Sequence, residues 1–272
     1  MNAGIIWKHC GLATVLVALL AEPGRADGIA IRVEAGGFGA SEADIGAVCR
    51  SAADCLTAGW RQPPEARLVV VKGEHGPITL FAKNERGELV VRLDTGQTYW
   101  AQYAYQFSHE LCHVLCKCED DHRGNLWFEE TLCETASMYC MRRMSGEWRD
   151  KAPYPNWQDY APALGDYVRD VIRRRALYPE LVRLGLPAFY QKHRARIEAE
   201  PCDREINGAM AVVLLNLFES DPQQWEAIRW LNPSPSPEGE NLQAYLRKWH
   251  DAAPEAHRGF IAGIAGLFGV AW

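Results

Sequence analysis

No apolar run in this 272-residue chain approaches the ~18 to 20 residues that a helix needs to cross a bilayer. Stable membrane insertion is therefore not expected. Basic blocks are equally scarce. None exceeds Arg173-Arg174-Arg175, and a formal charge of −6 with a pI near 5.8 leaves no electrostatic footprint for nucleic acid. No Cys-x-x-Cys pair occurs, the nearest approach being Cys116-Lys117-Cys118, which speaks against a dithiol oxidoreductase or redox sensor. No internal repeat is evident. What is present is 48% hydrophobic and 24% charged residues, with ten Trp, ten Tyr and eight Phe. That is the profile of a globular protein able to bury a large core, and it excludes disorder and coiled coil.

The first 26 residues differ from the rest. Lys8 and His9 precede an apolar stretch at 11–21, and Glu22-Pro23-Gly24-Arg25-Ala26 then supplies a helix breaker and small residues before a cut after Ala26. Residues 1–26 read as a secretory signal, and the protein as secreted or periplasmic. Cys10 follows Trp7-Lys8-His9 rather than a lipoprotein box and departs with the signal. Eight cysteines remain: Cys49, Cys55, Cys112, Cys116, Cys118, Cys133, Cys140 and Cys202. An even count in an exported chain suggests disulfides of undetermined connectivity, with Cys49 and Cys55, close together at one helix end, as the favoured pair. Several also suit the role of small core residues.

Alternation at 29–34, a helical pattern at 42–58 and the run Leu-Val-Val-Val within 67–72 make an α/β opening. Residues 78–83 and 88–93 alternate around Asn84-Glu85-Arg86-Gly87 and predict a hairpin. After Gly96 the apolar period becomes 3.6, predicting helices at 98–116 and 127–144. The segment 146–158, with Pro153 and Pro155, separates an α/β lobe (27–146) from a helical lobe (147–272). Helices are expected there at 162–177, 187–200, 203–218, 222–231, 242–251 and 254–268, and 232–240 as a surface loop. The fold class is α+β: a small mixed-sheet lobe, then a mostly helical one, with the cleft between them.

The strongest motif is His109-Glu110-Leu111-Cys112-His113. On a helix, residues four apart share a face, so His109 and His113 can present two imidazoles to one zinc ion. Glu110 is rotated by about 100 degrees, beside the metal rather than on it. That suits a carboxylate that takes a proton from activated water and passes it to a leaving amine. A structural zinc would require a fourth protein ligand. Cys112, Cys116 and Cys118 are near in sequence, but a fourth ligand from the same helix would sit more than a turn from the two-histidine centre.

A hydrolytic zinc site needs a third ligand, and Trp127-Phe128-Glu129-Glu130-Thr131-Leu132-Cys133-Glu134 offers carboxylates on the next helix. Here the sequence resembles the gluzincin metallopeptidases, the superfamily of thermolysin and the zinc aminopeptidases. In them a His-Glu-x-x-His helix is followed by a helix bearing a glutamate ligand. The resemblance covers about 88–144. It implies Glu130 as third ligand; Glu129 remains open, because the sixteen residues after His113 are slightly short of the family spacing. It also implies that Glu134 orients His109, and physically a ligating imidazole needs an acceptor for its other N–H. In gluzincins an edge strand before the zinc helix binds extended substrate backbone, and 88–93 occupies that place in the order.

The aminopeptidase Gly-Ala-Met-Glu-Asn segment is missing before the zinc helix, and Gly208-Ala209-Met210 after it reads as coincidence, so an exopeptidase is not supported. Tyr154, Tyr160, His193 and Arg204 are candidates for stabilising an oxyanion, and Asn207 for a hydrogen bond in the cleft. The expectation is an exported Zn2+-dependent hydrolase cleaving peptide or protein substrates, the alternative a non-catalytic zinc-containing binding protein of the same fold. Export predicts a mature chain starting near Asp27, which intact-mass analysis checks; an uncut N-terminus would contradict it.

Overall fold

The structure, a computed structural model, describes residues 28–117 and 124–272. The expected signal segment and Cys118 lie outside the described residues. Strand β1 (Ile29–Val33) leads into helix α1 (Glu42–Thr57), whose first turn is capped by the Ser41 hydroxyl accepting from the Asp44 amide at 3.1 Å. Strand β2 (Ala66–Lys72) follows, and then the hairpin of β3 (Ile78–Leu80) and β4 (Leu89–Leu93). The sheet order is β1-β2-β4-β3, with β2 parallel to β1 and β4, and β3 antiparallel to β4. The protein is thus a mixed α+β fold with a small four-stranded mixed sheet and many helices.

The Leu-Val-Val-Val run belongs to β2, a central strand, which is why it is apolar on both faces. The hairpin turns where expected: the Asn84 side-chain oxygen accepts from the Arg86 and Glu88 amides, and Gly87 takes the left-handed conformation at φ 72°. The expected edge strand is corrected, however. Residues 88–93 have β2 on one side and β3 on the other, so β4 is interior and the edge on that side of the sheet belongs to β3.

Cys49 and Cys55, the favoured disulfide pair, both carry free thiols, as do Cys112, Cys133, Cys140 and Cys202. Six residues along α1 amount to about 9 Å of rise with the side chains turned apart, beyond the ~7 Å that a disulfide spans.

Helix α2 (Trp100–Leu115) packs against α3 (Leu126–Lys151), the longest element. Instead of ending at 144, α3 runs through Gly146 to Lys151. Trp148 on that last stretch is fully buried and donates from Nε1 to the Ser51 hydroxyl at 2.7 Å. α3 buries residues on every side, and its internal hydroxyls are satisfied within the helix: Thr131 and Thr135 donate to the carbonyls of Trp127 and Thr131 at 2.9 and 2.7 Å. One hydrophobic core draws on residues on both sides of 146–158.

Helices α4 (Ala161–Arg173), α5 (Tyr178–Leu184), α6 (Leu186–Ala199), α7 (Arg204–Ser220), α8 (Leu242–Ala252) and α9 (Glu255–Leu267) complete the chain. The helix expected at 162–177 stops at Arg173, and α5 was not anticipated. Residues Pro222–Trp230, expected as α-helix, are 3-10. Among the described residues no helix is long and apolar enough to cross a membrane.

One ion pair bridges across β2, from β1 to the residue before β4. Arg32 on β1 donates from Nε and Nη2 to the two oxygens of Glu88 at 2.9 and 2.7 Å, and together with Asn84 it holds the Glu88 carboxyl down to about 2. Because the folded value lies below the unfolded one near 4.3, this stabilisation is present above that pH and disappears as pH falls toward 2. Glu88→Gln should cost about 1 to 2 kcal/mol at pH 7 and flatten the loss of stability between those limits, read from urea denaturation at several pH values.

Candidate functional site

The two histidines of α2 meet three carboxylates of α3. His109 and His113 are four residues apart on one face, with ring centroids 5.0 Å apart. The Nε2 atoms of both face a single carboxylate: His109 is 3.2 Å from Glu130 Oε2, and His113 is 3.5 Å from Glu130 Oε1. Their other ring nitrogens face two different carboxylates. His113 Nδ1 lies 2.6 Å from Glu129 Oε1, and His109 Nδ1 lies 3.7 Å from Glu134 Oε2.

Each of these supporting carboxylates has its own partners. The second oxygen of Glu129, which is 1% exposed, accepts from Asn232 Nδ2 at 2.7 Å; Asn232 in turn accepts from the Tyr245 hydroxyl at 2.8 Å. Glu134 is held by the Tyr105 hydroxyl and the Arg175 guanidinium, and Arg175 also donates to the Tyr105 oxygen at 3.1 Å. Gly208 makes room for this: a Cβ there would lie 2.4 Å from Arg175 Cζ, so any side chain would drive the guanidinium off Glu134. Glu110 is buried beside the pair and accepts at Oε2 from the Thr79 hydroxyl on β3 at 2.8 Å.

Burial alone would lower both imidazoles. For His113 the Glu129 hydrogen bond outweighs it and lifts the group to about 9; for His109 the Glu130 carboxylate does the same, with a net rise. Conversely, burial would raise Glu130, and the imidazoles outweigh it, bringing the carboxyl down to about 2. This is a compact set of donors that binds positive charge, whether a proton or a metal ion.

Among the described residues one group of three could hold a metal ion. Donor atoms of His109, His113 and Cys133 lie within 4.8 Å of one another. Glu130 also lies against both imidazoles, its two oxygens 3.2 and 3.5 Å from their Nε2 atoms. Cys133 is fully buried, its thiol is pushed well up by that burial and by Cys112, and it does not line the cavity at the site. His113 Nδ1 is committed to Glu129, so its available lone pair is on Nε2, the atom that faces Glu130. Both Nε2 atoms thus face Glu130 at the cavity, while the outer ring nitrogen of His113 is bonded to Glu129 and that of His109 faces Glu134.

The two histidines and Glu130 open into a cavity of about 660 Å³. One side is formed by β3 and α2, including Ile78, Thr79, Tyr105, His109, Glu110 and His113; the other by α4, the turn after it and the start of α7, including Tyr167, Arg174, Arg175, Arg204 and Asn207. Arg204 and Asn207, two of the expected cleft residues, are on the cavity wall. Three others are elsewhere: Tyr160 accepts from the Ala101 amide at 3.2 Å, Tyr154 packs edge-on against Trp157, and His193 lies between Phe189 and Glu180.

Sequence reasoning missed Thr79, Tyr105, Arg175 and Asn232. Tyr105 was accessible to it, being one turn before His109 on the same face. Asn232 was not, since 103 positions separate it from Glu129.

No known protein family matches the chain, and no match is found among curated proteins or solved structures.

Because Asn232 supplies the donor for a buried carboxylate oxygen, Asn232→Ala should destabilise the protein by about 1 to 3 kcal/mol, measured in urea, whereas an exposed control such as Gln243→Ala should change it by less than about 0.5 kcal/mol.

Proposed function

We propose that the protein is an exported zinc-dependent hydrolase of the peptidase class. The observation that carries this reading is the division of labour among five side chains: both histidine Nε2 atoms converge on Glu130 at the cavity, while His113 Nδ1 is bonded to Glu129 and His109 Nδ1 faces Glu134. A carboxylate behind each imidazole is what a metal site needs from its surroundings. Two imidazoles and one carboxylate, leaving a position open to a cavity, fit catalytic zinc better than a closed structural site.

When bound, zinc supplies a Lewis acid that polarises a carbonyl and acidifies water. The rest is the work of the chain. Thr79 fixes Glu110 Oε2, so Oε1 is the oxygen that takes a proton from the attacking water and returns it to the departing amine. The α2 helix is thus the active-site helix of this reading. The free edge of β3 along the cavity offers backbone groups to an extended chain, which favours peptide or protein over a compact small-molecule substrate.

His113→Ala should abolish stoichiometric zinc binding, measured by metal analysis; full retention would refute the ligand set. Glu110→Gln keeps size and ligands, so zinc content should hold while turnover on a peptide library falls at least ~100-fold. Equal activity in that variant would remove Glu110 as the base. Zinc binding by wild type with no turnover on any peptide would favour a non-catalytic binding protein. Glu134→Ala should lower zinc affinity by about 10- to 100-fold, since it removes the carboxylate that faces His109 Nδ1, and competition with a chelator reads this directly.

A further inference from the structure

We infer that the wall facing the metal ligands selects substrates by a carboxylate, anchored by Arg204 close to the bond to be cut; the inference rests on the hydrolase reading. The charge balance of the cavity motivates it. Glu110, Glu130 and Glu134 all line it in a chain of net charge −6, so a substrate carboxylate is repelled unless a cation receives it. Of the arginines on the opposite wall, Arg175 is spent on Glu134, and Arg174 pairs with Asp170 at 3.5 Å. The Arg204 guanidinium makes no ion pair among the described residues.

Its position suits the task. Arg204 begins α7, yet its Nη2 would lie 3.8 Å from a Cβ placed on Gly76, in the turn just ahead of β3. The side chain therefore reaches across to the strand on which an extended peptide would lie. The Arg204 carbonyl accepts from Arg175 Nη1 at 3.2 Å, and Arg175 holds Glu134, which faces His109, so this cation is one guanidinium removed from the residues around the metal ligands.

A second group points to a ligand. Asn207, on the same wall and 3% exposed, donates from Nδ2 to the Pro201 carbonyl at 2.7 Å, but its Oδ1 has no donor. A buried acceptor without a donor is costly, and the amide N–H of the residue bearing the carboxylate is the group that would relieve it. The carboxylate itself has two possible sources, a peptide C-terminus or an Asp or Glu side chain.

The test measures binding of fluorescein-labelled tetra-alanine by anisotropy on zinc-stripped protein, where turnover cannot interfere, and on zinc-loaded Glu110→Gln. Three probes are compared: the free acid, the C-terminal amide, and the amide with one Ala replaced by Glu. The free acid, the Glu-containing amide or both should bind about tenfold more tightly than the neutral amide, and which of them does so identifies the source. Arg204→Gln, at an exposed position, should erase that preference; circular dichroism verifies the fold. Equal binding of all three probes, a preference that survives Arg204→Gln, or no binding of any probe overturns the inference. A carboxylate preference with no cleavage of any peptide upholds it and counts against the hydrolase reading alone.

Discussion

The rest of the structure depends on burying several carboxylates between α2 and α3 and giving each of them hydrogen-bonding or charged partners. Taking a charge out of water costs several kcal/mol even after relaxation, so each glutamate is admissible only with partners in place. Those partners come from distant parts of the chain: Asn232 and Tyr245 for Glu129, Tyr105 and Arg175 for Glu134, Thr79 for Glu110. The loop before α8, the turn after α4 and the edge of the sheet are thereby fixed relative to one helix pair. In this sense the helical second half is the scaffold that makes the α2–α3 centre affordable.

The same constraint explains what the sequence disclosed. Features set by local chemistry were legible: the four-residue spacing of His109 and His113, the hairpin at Asn84 to Gly87, and the helix that begins at residue 203 or 204. Features set by contacts across the fold were not. Whether Glu129 or Glu130 faces the histidine Nε2 atoms depends on how α3 is rotated against α2, and adjacent residues on a helix differ by about 100 degrees. The structure turns Glu130 to the cavity and Glu129 inward because Asn232 and Tyr245 wait there, and nothing near Glu129 in the sequence says so.

The misplaced edge strand has a similar origin. Residues 78–80 and 88–93 both alternate, and alternation shows which face is buried but not which neighbours a strand has. β4 is taken into the interior because β2, apolar on both faces, needs a parallel neighbour on each side, and that leaves the shorter strand outside. α3 outran its expected end for a comparable reason. Gly146 is a poor helix former, but Trp148 beyond it is buried against α1, and tertiary packing of this kind overrides a propensity of about 1 kcal/mol.

Thr79 sits where two tasks meet. Its backbone belongs to the three-residue edge strand, while its hydroxyl sets the orientation of Glu110. In an enzyme built this way, holding the substrate and aligning the proton acceptor are mechanically one event: a chain that pairs with β3 stiffens the residue that aims the base, and a chain in the wrong register slackens it. Register along that strand would then be read in how fast a peptide is processed, on top of whatever the far wall of the cavity contributes to how tightly it is held. The selectivity and the speed of such a site would have to evolve together, since no substitution on that strand adjusts one and spares the other.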